Sequence, residues 1–241
     1  MNHANRIRRF HGIIATICIS LSATCFADIT GKVTLTGKIP DMPEIAAIKA
    51  NPECAKMHKD PVYEETVVAG EKGELANVVV SIKTPAGKTL QGGKPQQAVL
   101  DQKGCVYVPH VVAVQAGQPV LTKTTDPVLH NVHTMPIVNN AVNKGMPGGS
   151  APINLGPYVV EDIKVKCDVH PWMVAWIRVL DNPFYAVTGE DGTYKIDTTG
   201  LPDGDYELVF WQEKYKEQTQ KITLKGGKAE ANAVYNADKK N

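Results

Sequence analysis

The stretch Cys167-Asp168-Val169-His170-Pro171-Trp172-Met173 lies between two strand-like runs, Val159–Lys166 and Val174–Leu180. It joins them through one tight turn, and the same alternation of short strands and turn chemistry extends outward on both sides. Candidate strands upstream are Ile29–Thr36, Leu75–Lys83, Cys105–Val114 and Val120–Thr125. Downstream they are Phe184–Val187, Thr193–Asp197, Tyr206–Gln212, Gln220–Leu224 and Glu230–Tyr235. Glu190-Asp191-Gly192 and Pro202-Asp203-Gly204 suit tight turns, with glycine supplying positive φ. Only Pro43–His58 reads as helical, a short piece that contains Pro52. Thr134–Pro157, full of Gly, Pro and Asn, reads as a long loop of the kind that carries function. The chain is all-β.

Composition narrows the function classes. The 241 residues carry 26 Lys plus Arg against 25 Asp plus Glu, and 43% are apolar. A packed core is expected, and no broad basic field is present for nucleic acid. Residues 1–27 resemble a secretory signal peptide: Arg6, Arg8 and Arg9 precede an apolar stretch, and Ala27 ends a small-residue cleavage site. The stretch is too short to span a bilayer comfortably, so no membrane span is expected. Cleavage near Ala27 would send the chain to the periplasm or outside the cell. It would also leave 23 basic and 25 acidic residues, five His, and three cysteines, Cys54, Cys105 and Cys167. Three is odd, so in an oxidising compartment one cysteine needs its own explanation.

Cys167, His170 and Met173 supply that explanation. Their spacing of three lets a thiolate, an imidazole and a thioether converge. Cysteine sulfur with two imidazoles and a long axial methionine is the ligand set of type 1 copper. Soft sulfur favours Cu(I), while imidazole tolerates Cu(II). The second imidazole must come from His130-Asn131-Val132-His133. Residues three apart on an extended chain face opposite ways, so only one of the two can reach the site, and His130 is chosen. Zinc suits the same donors and is the alternative metal.

Asp126-Pro127-Val128-Leu129-His130-Asn131-Val132 together with the Cys167–Met173 loop resembles the cupredoxins, with a ligand loop of the amicyanin type. Gly117-Gln118-Pro119-Val120 is similar to that family's glycine turn. The resemblance covers roughly residues 95–181 and implies a Greek-key β-sandwich. It makes His130, Cys167, His170 and Met173 ligands of one copper ion per chain. Asn131 becomes the residue whose hydrogen bonds tie the two ligand loops together. Asp168, directly after the cysteine, departs from the pattern and adds negative charge beside the site.

Cys54 and Cys105 form the natural disulfide pair if Cys167 holds metal. The alternative groups Cys54, His58, Cys105 and His110 as a second, Cys2His2 site. Met135 and Met146 are further thioethers in the long loop. Ala186–Tyr194 and Leu201–Leu208, with Ile29–Val33 and Asn77–Val80, resemble the carboxypeptidase regulatory-like sandwich, an Ig-like or transthyretin-like fold. The expected organisation is a signal peptide at 1–27, an N-terminal β segment at 28–94 belonging to that second sandwich, the copper domain at 95–181, and the rest of the second sandwich at 182–241.

The expected function is single-electron transfer with an unidentified redox partner protein, not enzymatic catalysis. His170 is expected at the surface, with Pro171 and Trp172 as the docking contact. Rival functions are copper delivery through the same ligands, and a metal-free module binding carbohydrate or protein.

Overall fold

The computed structural model describes residues 27–93 and 97–239. The signal-peptide segment up to residue 26 lies outside the described residues, as does the expected boundary at 94–95. In chain order the first elements are β1 (Asp28–Thr36), α1 (Ala46–Ala50), α2 (Pro52–Ala55) and β2 (Val79–Ile82). A central set follows: β3 (Ala98–Lys103), β4 (Val106–Val108), β5 (Val111–Gln115), β6 (Val120–Thr124), β7 (His130–Met135), β8 (Asn143–Met146), β9 (Ile153–Leu155), β10 (Glu161–Lys166) and β11 (Val174–Leu180). The last are β12 (Tyr185–Val187), β13 (Thr193–Asp197), β14 (Gly204–Gln212), β15 (Lys216–Leu224), β16 (Ala229–Glu230) and β17 (Ala233–Asn236). Among the described residues the fold is all-β apart from two single-turn helices.

The central strands form two sheets, in the orders β5-β11-β10-β7-β8 and β4-β3-β6-β9. Leu100, Val114, Val120, Val132, Ile163, Val165, Ala175 and Ile177 fill the space they enclose. The flanking strands form two further sheets. One is β12-β2-β14-β15; in the other, β1 pairs with β13, β16 and β17. Their own core holds Ile29, Val33, Leu75, Val80, Ile82, Phe184, Ile196, Leu208 and Phe210.

Alternation along β14 explains how the two halves adjoin. Leu208 and Phe210 face the flanking core, while Trp211 faces the other way, against Val79, Val111, Leu180 and Tyr185. Both faces of β14 are therefore buried at its C-terminal end. The turn before β13 shows why glycine is needed there. Asp191 accepts hydrogen bonds from the Thr193 N–H and hydroxyl at 2.9 and 2.7 Å. Gly192 has φ 73°, and a Cβ on it would stand 2.5 Å from the Val33 carbonyl oxygen.

Three local expectations are corrected. The helical piece in Pro43–His58 is two short helices, and Pro52 begins the second, at the position where its missing N–H costs nothing. The Asn51 side chain caps that helix, accepting from the Glu53 and Cys54 N–H groups. Thr134–Pro157 is not a structureless loop, because it contains β8 and β9. β8 is mostly exposed and polar, so it pairs with β7 through its backbone and leaves no apolar alternation. Cys105–Val114 is two strands, β4 and β5, interrupted at Pro109, which lacks a ladder donor.

The α1–α2 segment packs away from β1. Ile48 and Cys54 are buried in the central core, and a disulfide joins Cys54 to Cys105 with Cα atoms 5.7 Å apart.

Candidate metal centre

Strand register places the candidate ligand residues. β7 pairs with β10, and β10 with β11, so the start of β7, the end of β10 and the start of β11 share one end of a sheet. His130 opens β7, and Cys167 to Met173 connects β10 to β11. The connection closes on itself. The Cys167 N–H donates to the Met173 carbonyl at 3.2 Å, and the Met173 N–H to the His170 carbonyl at 2.9 Å.

The donor atoms converge. His130 Nδ1 and His170 Nδ1 are 3.0 Å apart, and Cys167 Sγ is 3.9 Å from His170 Nδ1. All three side chains are buried. Bonds of about 2.0 Å to nitrogen and about 2.3 Å to sulfur allow one ion to touch atoms at such separations. The donor set therefore fits copper, with zinc chemically admissible. Met173 is buried in the same core as Cys167.

Asp126 sets the orientation of His130, and sequence reasoning gave it no role. Its carboxylate accepts from His130 Nε2 at 2.9 Å, and from the Gly104 and Cys105 N–H groups at 2.7 and 2.8 Å. An ionised carboxylate can only accept, so Nε2 carries a proton, and a metal at Nδ1 would take the place of the second proton on that ring. The available signal was an aspartate four residues before the histidine. Burial by itself lowers the His130 imidazole, but the hydrogen bonds to Asp126 and toward Cys167 outweigh it and push the group up to about 9. Burial likewise raises Cys167. Its bonds from His130 and from the Asn131 and His170 N–H groups reverse that, and the thiol lies below its usual value. His170 is lowered, mainly by burial and then by His130.

Asn131 links the two loops. Its Oδ1 accepts from the Asp168 N–H at 2.5 Å, and its Nδ2 donates to Asn143 Oδ1 at 2.7 Å and to Asp168 Oδ2 at 3.2 Å. His133 faces outward, bonded to the Asp168 carboxylate at 2.9 Å. Bonds with Lys166 above all, and with Asn143, His133 and Asn131, hold the exposed Asp168 carboxyl well below the usual range. Met146 lies directly across from His130 in the β7–β8 register, and its sulfur accepts from Gln102 Nε2 at 3.0 Å. Met135 is exposed.

The surface position expected for His170 is wrong. The imidazole is only 4% exposed. Cys54 Sγ stands 3.6 Å from its Nε2, and the Trp172 ring lies 5.0 Å away between centroids. Trp172 Nε1–H donates to the Cys105 carbonyl at 2.9 Å, so the disulfide and the indole together cover the imidazole edge. The Cys2His2 grouping is also not what forms. His58 bonds the Gly104 carbonyl at 2.6 Å, and His110 bonds Glu213 at 2.5 Å across the seam between the two halves. A cleft of about 760 Å³ opens beside Pro171 and Trp172, with Tyr63, Glu65 and His110 also on its walls.

Asp126→Asn should weaken metal binding by about 10- to 100-fold. It should also lower the stability of the metal-free protein by about 2–4 kcal/mol, because the amide cannot accept from three donors. Burial raises Asp126, but the bonds from His130, Cys105 and Gly104 prevail and lower it. A carboxyl lowered on folding contributes stability that is present above its unfolded value, about 4, and is lost as pH falls through the folded one. Urea titrations between pH 3 and 7 (the range set by the carboxylate reference values) should show a shallower acid decline in the variant.

Comparisons with known proteins complete the description. No protein-family model matches the chain. No curated protein matches it. Solved structures match part of it. A Cu-containing nitrite reductase from Thermus scotoductus SA-01 is 18% identical over 40% of this chain and 25% of its own, with a TM-score of 0.31. The chain thus spans a quarter of that reductase. A purple cupredoxin from Nitrosopumilus maritimus is 18% identical over 35% of this chain and 100% of its own, at 0.30. A Cu(I) amicyanin variant is 18% identical over 42% of this chain and 98% of its own, at 0.32.

Proposed function

We propose that this chain is a type 1 copper protein that passes single electrons, in which His130, Cys167, His170 and Met173 would hold the copper. The observation that carries this reading is the convergence of His130 Nδ1, His170 Nδ1 and Cys167 Sγ in a buried cluster. Copper, when bound, supplies one-electron chemistry between Cu(I) and Cu(II). The protein's part is to hold the donors still. Asp126 fixes one imidazole, the Asn131 and His170 N–H groups stabilise sulfur as thiolate, and Asn131 locks the two loops.

In this reading the chain holds one copper, works in the periplasm after cleavage near Ala27, and meets a redox partner protein. The central strands are the copper domain, interrupting a regulatory-like sandwich built from the flanking segments. Among the described residues no helix is long and apolar enough to cross a membrane. The partner docks over Pro171 and Trp172, at the cleft beside them, because the indole is the half-exposed group in contact with the covered His170.

The test is a visible spectrum with a metal assay on purified protein. An intense copper–thiolate band at one copper per chain, with reversible one-electron reduction, supports the reading. Colourless stoichiometric copper would point to delivery, bound zinc to a structural site, and no metal to a binding module.

Trp172→Ala should slow electron exchange with the partner. It should also cost about 2 kcal/mol of stability, from the lost packing and the freed Cys105 carbonyl. Measuring the exchange rate and the melting temperature on one variant checks both. An unchanged exchange rate would remove Trp172 from the docking surface.

A further inference from the structure

His170 has two faces, and the electron-transfer reading uses only one. Its Nδ1 points to His130, while its Nε2 points to Cys54 Sγ at 3.6 Å. The sulfurs of Cys54 and Cys105 and a ring nitrogen of His170 all lie within 4.8 Å of one another. Cys54 and Cys105 are fully buried, and Trp172 holds the Cys105 carbonyl from outside. His58 and His110 are engaged elsewhere, His58 with the Gly104 carbonyl and His110 with Glu213. What stands beside the disulfide is the imidazole of the first centre.

We propose that reduction of the Cys54–Cys105 disulfide opens a second soft-metal site, in which the two thiolates and His170 Nε2 bind one Cu(I). A dithiol reductant breaks the S–S bond, becomes a disulfide itself, and leaves two protein thiols. Cu(I) then displaces both thiol protons. When Nδ1 is occupied as well, the imidazole gives up its single N–H proton too. Two thiolates and an imidazole form a soft donor set that favours Cu(I) over harder cations. Thiolates are stronger ligands than the disulfide sulfurs they replace, so the site exists only in the reduced chain. Redox state thereby sets how many metal ions the protein holds.

The experiment is an anaerobic titration with Cu(I) against a competing coloured chelator, before and after dithiothreitol treatment and removal of the dithiol. Free thiols are counted in parallel. Reduction should add one tightly held equivalent to the wild-type protein, and one to Cys167→Ser, in which the first centre lacks its thiolate. The added equivalent should vanish in Cys54→Ala/Cys105→Ala and weaken at least tenfold in His170→Ala. Cys54 and Cys105 counted as free thiols with no added equivalent would overturn the proposal. An added equivalent of unchanged affinity in His170→Ala would overturn the role of the imidazole. If the oxidised protein holds no copper while reduction still adds one equivalent, the electron-transfer reading fails and this one stands.

Discussion

Cys167→Ser is expected to abolish the visible copper–thiolate band and to lower copper affinity by more than about 100-fold, beyond the cost of losing a residue that merely orients a ligand. The neutral hydroxyl cannot replace a soft anionic sulfur. Sulfur in this position accepts from two backbone N–H groups, Asn131 and His170, each at 3.4 Å. These would persist around the smaller serine at the expense of poorer geometry, so the fold should survive the change. The companion pair is His130→Ala and His133→Ala. His130 is fully buried against Asp126 and His170, whereas His133 lies on the outer face with Asp168. The first should bleach or strongly shift the band and the second leave it nearly intact. Equal effects would show that the remote ligand is misassigned.

Replacing Cys54 and Cys105 together with alanine should lower the unfolding free energy by about 4 kcal/mol, the chain-entropy value for a closed loop of this length. The bridge joins residues separated by 51 positions and anchors the α1–α2 segment to the central core. Guanidinium unfolding followed by tryptophan fluorescence gives the number, since Trp172 bonds the Cys105 carbonyl and reports locally. His170 should also become more exposed, because one of its two covers is gone. A loss below about 1 kcal/mol would mean that the packing of Ile48 and its neighbours already closes this loop without the covalent bond.

Much of the site was legible because its chemistry sits in unusual residues at fixed spacing. Cys167, His170 and Met173 lie in one turn, and the opposite faces of an extended chain separate His130 from His133. The cover over His170 was not legible. It arises where Cys54, more than a hundred residues upstream, crosses to the other half of the molecule, and no local pattern announces that crossing. Asp126 was visible as a residue yet silent as a role, since only the fold shows which atoms reach its carboxylate. Strands with apolar alternation, such as β1 and β13, were read correctly. β8 was missed because its exposed residues carry no alternation, and β3 because Asp101, Gln102 and Lys103 dilute its apolar half.

The pairing of β1 bears on how the chain is made. Asp28 lies opposite Asp197, and Val33 to Thr36 run beside Ala233 to Asn236. A ribosome adding about 5–20 residues per second needs on the order of ten to thirty seconds to deliver the first of these partners. During that interval β1 has only its short antiparallel contact with residues 73–75 to pair with. The central strands, by contrast, find all their neighbours within one continuous stretch. Nascent chains should therefore acquire the half that carries the candidate metal centre first and close the flanking half last. A chain stalled before Thr193 would present β1 as an open edge, ready to pair with another molecule.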